Sequence, residues 1–263
     1  MVWINELPAW LLFIIIVGFT LFLSIGGQAI LNPFVKKLHK DGEYDKRNDL
    51  ISFYLAAVGV FYGITLGLVV VGTWENFADA EEKVNKEAAS IAALYRDVSV
   101  IPDSQAKQLK KDLKDYNQFV INIAWPLQAE GKVALQGNKE IDTLQLHLYS
   151  FKPDNLHEMA IFQETLTQYN KLLELRRLRM NTVGAGLPTY LWAILIFGGV
   201  VNIAICWLFY FENKLLQYFL NCSIALFIGI MIFIISLMDN PYRGDFRIGP
   251  DAYQDVLEQL MTE

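Results

Sequence analysis

The sequence predicts an all-α membrane protein: four transmembrane helices, with a helical extramembrane domain inserted between helices 2 and 3. Three observations predict it. Four apolar runs, at 8–31, 50–73, 187–211 and 215–238, each have about the 20 residues a helix needs to cross a hydrocarbon core. None of the runs holds a Lys, Arg, Asp, Glu or His. The runs are split two and two around a polar stretch in which apolar residues recur at helical spacing and no strand alternation is visible. The chain therefore reads as 1–74 for transmembrane helices 1 and 2, 75–186 for the helical domain, 187–238 for helices 3 and 4, and 239–263 for an extramembrane C-terminal tail.

The first run opens at Pro8, a good first helical residue, and is expected to close at Asn32-Pro33. Its leader, MVWINELPAW, has no Lys or Arg, so it lacks the basic start of a signal peptide and reads as a retained helix. The second run opens after Asn48 and Asp49, either of which can cap a helix. Within it Gly59, Gly63 and Gly67 recur every four residues, and Ser52 and Ala56 extend the same side. Such a ridge lets another helix approach closely, so these five are read as helix-packing. The opposite face carries Tyr54, Phe61, Thr65, Leu68 and Gly72. Two readings stand for that face: a second helix contact, or the lining of a conduction path in an oligomer. Four spans enclose a pore only when several subunits come together.

The pattern does not break after Trp74. Phe77, Ala80, Val84, Ala88, Ile91 and Tyr95 keep helical spacing to Val98, and no Gly or Pro intervenes between Gly72 and Pro102. Span two is thus expected to run into the domain as one helix of about 50 residues, about 70 Å long. A second domain helix is expected from Pro102-Asp103-Ser104, with Ala106, Leu109, Leu113, Tyr116, Val120 and Ile123 on one face and its end at Trp125-Pro126. Gly131 and Gly137 bracket a loop, and a short helix follows over 140–150. Pro153-Asp154 starts the last domain helix, with Leu156, Met159, Leu166, Leu173 and Met180 in register. The third span is announced by Gly184-Ala-Gly-Leu-Pro188. Only Glu212-Asn-Lys214 separates it from the fourth, so the two form an antiparallel hairpin. Ser24, Gln28, Asn202, Asn221 and Ser223 are polar at membrane depth. They read as interhelical hydrogen-bonding groups worth about 1 kcal/mol each.

Composition narrows the function. The 263 residues are 54% hydrophobic yet 19% charged, so the charges lie outside the spans. The net charge of −6 is spread along the chain with no basic stripe, which argues against nucleic acid. Cys206 and Cys222 fall within spans and read as small hydrophobes. There is no nucleophile elbow, phosphate loop or zinc-ligand pair, and His147 and His157 stand on different predicted helices. The chain is read as no enzyme, with neither cofactor nor metal. Charge-free spans argue against proton-coupled transport. A pore, a scaffold or a membrane-held sensor remains. Arg176, Arg177 and Arg179 precede span three and are candidates for binding lipid headgroups or for attracting anions to a pore mouth. Asp239, Pro241 and Gly244 form a motif where span four leaves the bilayer, either as a helix stop or as a latch between the tail and the domain helices.

Ordered segments suggest a family. They are GVFYGITLGLVVVGTWENFADAEEKVNKEAASIAALYRD, DYNQFVINIAWP, RRLRMNTVGAGLPTYLWAIL and LMDNPYRGDFRIGPDAYQDVL. Over 48–260 the chain resembles the bestrophin-like membrane family, long catalogued as a domain of unknown function. The matching positions are Gly59, Tyr62, Gly63, Trp74, Glu87, Ala88, Tyr116, Trp125, Pro126, Arg176 or Arg177, Arg179, Leu187, Pro188, Trp192, Asp239, Pro241, Gly244 and Pro250. Two positions depart from the pattern: Ala124 stands where an acid usually precedes Trp-Pro, and Tyr242 where a Phe usually follows the proline. The resemblance implies a homo-oligomer, a pentamer, that passes small anions such as chloride, with span two lining its pore. Phe61 and Leu68 would then form hydrophobic rings, and Thr65 would offer a hydroxyl to a partly dehydrated ion. A non-conducting sensor or scaffold that binds a partner protein through the helical domain is the alternative.

The expected setting is a bilayer, the bacterial plasma (inner) membrane. Lys36, Lys37, Lys40, Lys46 and Arg47 would hold the 32–49 loop inside, whereas the count of basic residues near all span ends points the other way. The resemblance tilts the helical domain to the cytoplasm.

Overall fold

The computed structural model describes residues 7–38, 44–101, 103–134 and 137–261. The N-terminal hexapeptide, Lys40 and the Pro102 helix start lie outside them. The helices are α1 (Ala9–Leu38), α2 (Tyr44–Val98), α3 (Asp103–Phe119), a π-helical turn (Val120–Ala124), α4 (Trp125–Ala129), α5 (Asn138–Ser150), α6 (Leu156–Thr182), α7 (Thr189–Trp207), α8 (Lys214–Met238) and α9 (Asp251–Leu260). Among the described residues there is no strand. Four helices, α1, α2, α7 and α8, are long and apolar enough to cross a membrane. The chain divides into two compact units, Met1–Glu75 with Gly186–Asp239, and Asn76–Ala185 with Asn240–Glu263. The 55-residue α2 belongs to both and is unbroken.

In the first unit α1 packs chiefly along α8. Gly229 makes this possible: a Cβ there would stand 3.2 Å from the Val17 Cα and meet the Thr20 hydroxyl. Phe13 and Phe233 meet edge to face at 5.2 Å. Leu66, Trp192, Leu195 and Ile235 form one apolar core, with Tyr62, Val69 and Val70 against it. The Tyr62 ring lies on Gly198 and Gly199, where side chains would collide with it, and its hydroxyl donates to the Leu195 carbonyl at 2.8 Å.

Three expectations are corrected here. Pro33 lies inside α1, which continues to Leu38. A proline removes one backbone donor, and the added turn ends on Lys36 and Lys37, which suit the negative end of the helix dipole. The second helix begins at Tyr44, ahead of the expected caps. Asn48 instead clamps the α7–α8 loop: its Nδ2 donates to the Tyr210 carbonyl at 2.7 Å, and its Oδ1 accepts from the Tyr210 N–H at 3.2 Å. The loop is also longer than the sequence suggested, since α7 ends at Trp207. Asn213 caps α8 by accepting from the N–H groups of Leu215 and Leu216.

The polar residues at membrane depth divide. Asn221 of α8 donates to Gln28 of α1 and to the Cys206 carbonyl, so these link helices. Asn202 and Ser223 bond carbonyls of their own helices, Gly198 and Phe219. Ser24 contributes its carbonyl, which accepts from the Trp207 indole at 3.1 Å.

The second unit is a helical bundle. The later part of α2 buries Phe77, Ala80, Val84, Ala88, Ile91, Tyr95 and Val98, the residues its spacing selects. From α3 come Ala106, Leu109, Leu113 and Tyr116. The Trp125-Pro126 pair does not end this helix. The π-turn carries the Trp125 N–H to the Val120 carbonyl, and α4 then starts with Pro126 in its first turn. A shift to i→i+5 bonding absorbs the missing proline donor. Asn155 caps α6 by accepting from the Glu158 N–H at 2.9 Å, while Glu158 accepts from the Asp154 N–H at 2.9 Å.

The buried face of α6 differs from the expected one. Leu156 and Met159 are exposed, and the helix buries Thr165, Tyr169, Leu172, Leu175, Arg176, Arg179 and Thr182. The tail completes the bundle. Asn117 donates to the Tyr253 carbonyl at 2.9 Å, and Lys114 to the Met261 carbonyl at 2.6 Å. Phe246 stacks on Phe77 at 5.4 Å.

Candidate functional site

Two places concentrate the sequence-selected residues: the outer faces of α2 in the first unit, and a buried cluster in the second.

On α2 both candidate faces are open within one chain. Only 6% of its most apolar stretch is buried, against 22–33% for the other three spans. Phe61 is 74% exposed and Leu68 69%, and Thr65 is exposed as well. The Thr65 hydroxyl donates to the Phe61 carbonyl at 2.9 Å, so its lone pairs stay on the outer face. Among the described residues no helix is packed closely on the small-residue stripe. A Cβ at Gly63 or Gly67 would find nothing within 4 Å, and at Gly59 only the Asn202 amide oxygen at 3.7 Å. Ser52 and Ala56 are exposed. Intrachain packing of α2 falls instead to Tyr62 and Leu66, whose bulk holds the helix off its neighbours. That leaves a groove lined by Gly59, Gly63 and Gly67 on one side and by Ser223, Phe227 and Met231 of α8 on the other.

The buried cluster joins α2, α3, α4, α6 and the tail. Glu87 and Arg179 are 0% and 2% exposed. The Arg179 Nε donates to Glu87 Oε2 at 2.6 Å and Nη2 to Oε1 at 3.3 Å. The Tyr116 hydroxyl donates to Oε1 at 2.6 Å. The Trp125 and Tyr253 rings stand 5.8 and 5.9 Å from the guanidinium carbon. Trp125 is itself held by Tyr242 and Tyr253 edge-on, and its indole donates to the Ile248 carbonyl. Burial opposes the charge on Arg179, but Glu87, Tyr253 and Tyr116 hold its pKa well above the ordinary arginine range. Burial, then Glu87, pushes the Tyr116 phenol well up. The phenol therefore stays protonated and donates.

This geometry corrects the reading of the arginines. Arg179 is enclosed and paired, and its ring and carboxylate neighbours leave no open face for a headgroup or an anion. Arg176 is buried too, and its Nη2 donates to the Asn138 side chain at 3.0 Å. Only Arg177 of the three is exposed. The sequence motif was visible as a basic cluster, but its partner stands 92 residues away.

The tail motif acts in two ways. Asp239 accepts from the Leu187 N–H at 2.5 Å and from the Trp192 indole at 3.3 Å, tying the end of α8 to the start of α7. Burial raises the Asp239 pKa, against the pull of those two donors. Pro241 accepts from the Ile248 N–H at 2.8 Å, and Gly244 has φ 77°, a turn that favours glycine. Tyr242, the departure from the family pattern, uses its extra hydroxyl to bond Thr182 at 2.8 Å. Elsewhere His147 Nδ1 lies 2.6 Å from Asp112 Oδ2, and His157 is exposed.

Comparison with known proteins agrees with this architecture. Residues 11–253 match the family model of the bestrophin-like domain. The chain is similar to crystal structures of a bacterial bestrophin homolog from Klebsiella pneumoniae. The form solved by zinc phasing has 10% identity and a TM-score of 0.70, over 95% of this chain and 99% of that chain. A leucine-to-threonine variant of the same homolog has 11% identity and a TM-score of 0.71, with the same coverage. An isoleucine-to-threonine variant has 10% identity and a TM-score of 0.72 over 95% and 99%. No functionally curated protein matches the chain. At such identity the structural likeness is one of fold.

Proposed function

Since the chain belongs to the bestrophin-like family, we propose that it is a passive ion channel, assembled as a ring of identical subunits, with one face of α2 lining the conduit. The family resemblance supports a pentamer. The carrying observation is that α2 is uncovered on both faces within its own chain. In this reading the Gly59, Gly63, Gly67 stripe, with Ser52 and Ala56, receives a helix of the neighbouring copy, because small residues let backbones approach closely. Phe61, Thr65 and Leu68 then face the axis. Phe61 and Leu68 form apolar rings that can gate by dewetting. The second unit lies outside the bilayer on the cytoplasmic side of the bacterial inner membrane, as the resemblance implies. The anion preference that the family suggests loses support from Arg176 and Arg179, which are buried.

The test is flux from liposomes holding the purified oligomer. Wild type passes small inorganic ions down their gradient without a proton requirement, since no span holds a charged or histidine side chain. Phe61→Ala widens the constriction and raises the flux. Assembled wild-type protein that carries no current at any voltage or pH would favour the second reading, a non-conducting scaffold. That reading draws on one observation, the exposed Leu146, Tyr149 and Leu156 of the second unit, which suit a protein partner.

A further inference from the structure

We infer that Glu75 sets the charge sign of the permeating ion: one Glu75 carboxylate per subunit rings the end of the α2-lined conduit and selects cations over anions. The inference rests on the channel reading above, and deepens it by naming the substrate class.

The argument starts from helical geometry. At about 100° per residue, positions seven apart fall about 20° from one another on a helix. Phe61, Leu68 and Glu75 are such a series, and α2 is helical through all three. If Phe61 and Leu68 face the axis, Glu75 does as well. It stands just beyond the last apolar residues of the span, where water replaces lipid. A carboxylate is tolerated there, whereas deeper in the bilayer it would be costly.

The next step is charge. Two of the acids that follow Glu75 on α2, Asp79 and Glu82, are neutralised locally. Lys83 pairs with Asp79 at 2.5 Å, and Lys86 with Glu82 at 2.6 Å, both at i,i+4 spacing. Glu75 has no such partner. Its neighbours at three and four residues are Val71, Gly72, Ala78 and Asp79, none of them basic. It is exposed and forms no ion pair or hydrogen bond among the described residues. At the opposite end of the span, Lys46 and Arg47 each have an interaction of their own. Among the described residues Glu75 is therefore an acid without a compensating partner at the end of the Phe61–Leu68 face, whereas Glu82 on that face is paired and Glu81 lies about 120° away. Symmetry multiplies it: every copy places a like charge at one height, in a narrow passage with low-dielectric walls that focus the field. Rings of Asp or Glu select cations in this way.

The experiment is reversal-potential measurement in planar bilayers under asymmetric potassium chloride, with the full-length oligomer checked by size exclusion. Wild type is expected to reverse on the potassium side. Glu75→Gln lowers the potassium-to-chloride permeability ratio roughly fivefold, and Glu75→Lys inverts the preference. Glu75→Asp keeps the charge and the wild-type ratio. Glu81→Gln removes an acid about 120° away on the same helix and leaves the ratio unchanged. A conducting wild type whose reversal potential is the same in Glu75→Gln and Glu75→Lys overturns the role of Glu75 while leaving the channel. A conducting wild type selective for chloride overturns it too. No current from assembled wild type overturns the channel reading and the ring together.

Discussion

Over residues 53–68 the second helix exposes most of its large side chains and buries only Leu66, whereas over residues 77–98 the same helix buries one or more residues in each turn. Phe53, Phe61, Ile64 and Leu68 are exposed, and Phe77, Val84, Ile91 and Leu94 are enclosed. The first stretch is apolar nearly throughout and the second only along one stripe, but neither pattern says which large side chains the chain itself encloses. The difference lies in what the chain supplies. In the second unit α3, α6 and the tail contribute a buried surface and an ion-pair partner for Glu87. In the first unit α1, α7 and α8 pack on each other, and α2 touches the core chiefly through Tyr62 and Leu66. A helix that finds its partners within its own chain is a structural element. One that does not is available to lipid or to other copies, and that is where the conduit is proposed.

The contrast can be broken most severely at its charged end. Arg179→Leu would leave Glu87 buried without its cation and is expected to cost about 3–5 kcal/mol. Denaturant unfolding of the purified protein, followed by tryptophan fluorescence, reads this directly. A loss below about 1 kcal/mol would mean that Glu87 reaches water when its partner is removed. Tyr116→Phe deletes one charge-assisted hydrogen bond and should cost less, about 1.5–3 kcal/mol. Replacing Glu87 and Arg179 together by apolar residues of similar volume should recover much of the loss, because the desolvation of both charges disappears as well.

A milder perturbation compares added volume on the two stretches. Ala88→Leu forces methylenes into a packed bundle and is expected to cost about 1–3 kcal/mol of stability. Gly63→Leu meets open space within the chain, so the fold should tolerate it, but a neighbouring copy seated on the stripe would be pushed off. Size exclusion in detergent should then show smaller species for Gly63→Leu and the wild-type oligomer for Ala88→Leu. An unchanged oligomer with Gly63→Leu would remove the stripe from the subunit contact.

The finest comparison lies within the first stretch itself. Leu66 is buried among Trp192, Leu195 and Ile235, and Leu68 stands two residues away on the exposed side. Leu66→Ala should lower thermal stability by about 2–5 kcal/mol-equivalent cavity cost, and Leu68→Ala by less than about 0.5 kcal/mol. Equal losses would show that the exposed face is already packed in the oligomer.

Several features are legible in the sequence. Spans are long, apolar and free of charge, and such runs have one stable backbone in lipid, because every N–H and C=O must be bonded within the segment. The passage of α2 beyond Trp74 was legible for a related reason: no Gly or Pro interrupts it, and apolar residues persist at helical spacing. Other features were not. Apolar periodicity favours Leu156 and Met159, whereas the buried face of α6 holds Thr, Tyr and Arg residues beside its leucines. Pro33 and Trp125-Pro126 were read as ends, yet the first lies in a helix that simply continues and the second follows a π-turn. At Pro126 the missing donor falls in the first turn of a new helix, where it is tolerated.

The sequence by itself determined that the chain is helical, which of its helices can cross a bilayer, and that α2 runs on past Trp74, but not the tail helix α9. Periodicity and the absence of charge are local properties, and a linear chain displays them. Only the tertiary structure decided which glycines are in close contact, that Arg179 is a core residue bound to Glu87, and that Gly63 and Gly67 of the α2 stripe face open space among the described residues. Those outcomes depend on groups far apart in the chain: Glu87 and Arg179, 92 residues apart, meet at 2.6 Å, and Gly229 closes on Val17 and Thr20. Whether a polar or small residue is buried is set by what arrives opposite it, and no pattern within a single helix carries that information.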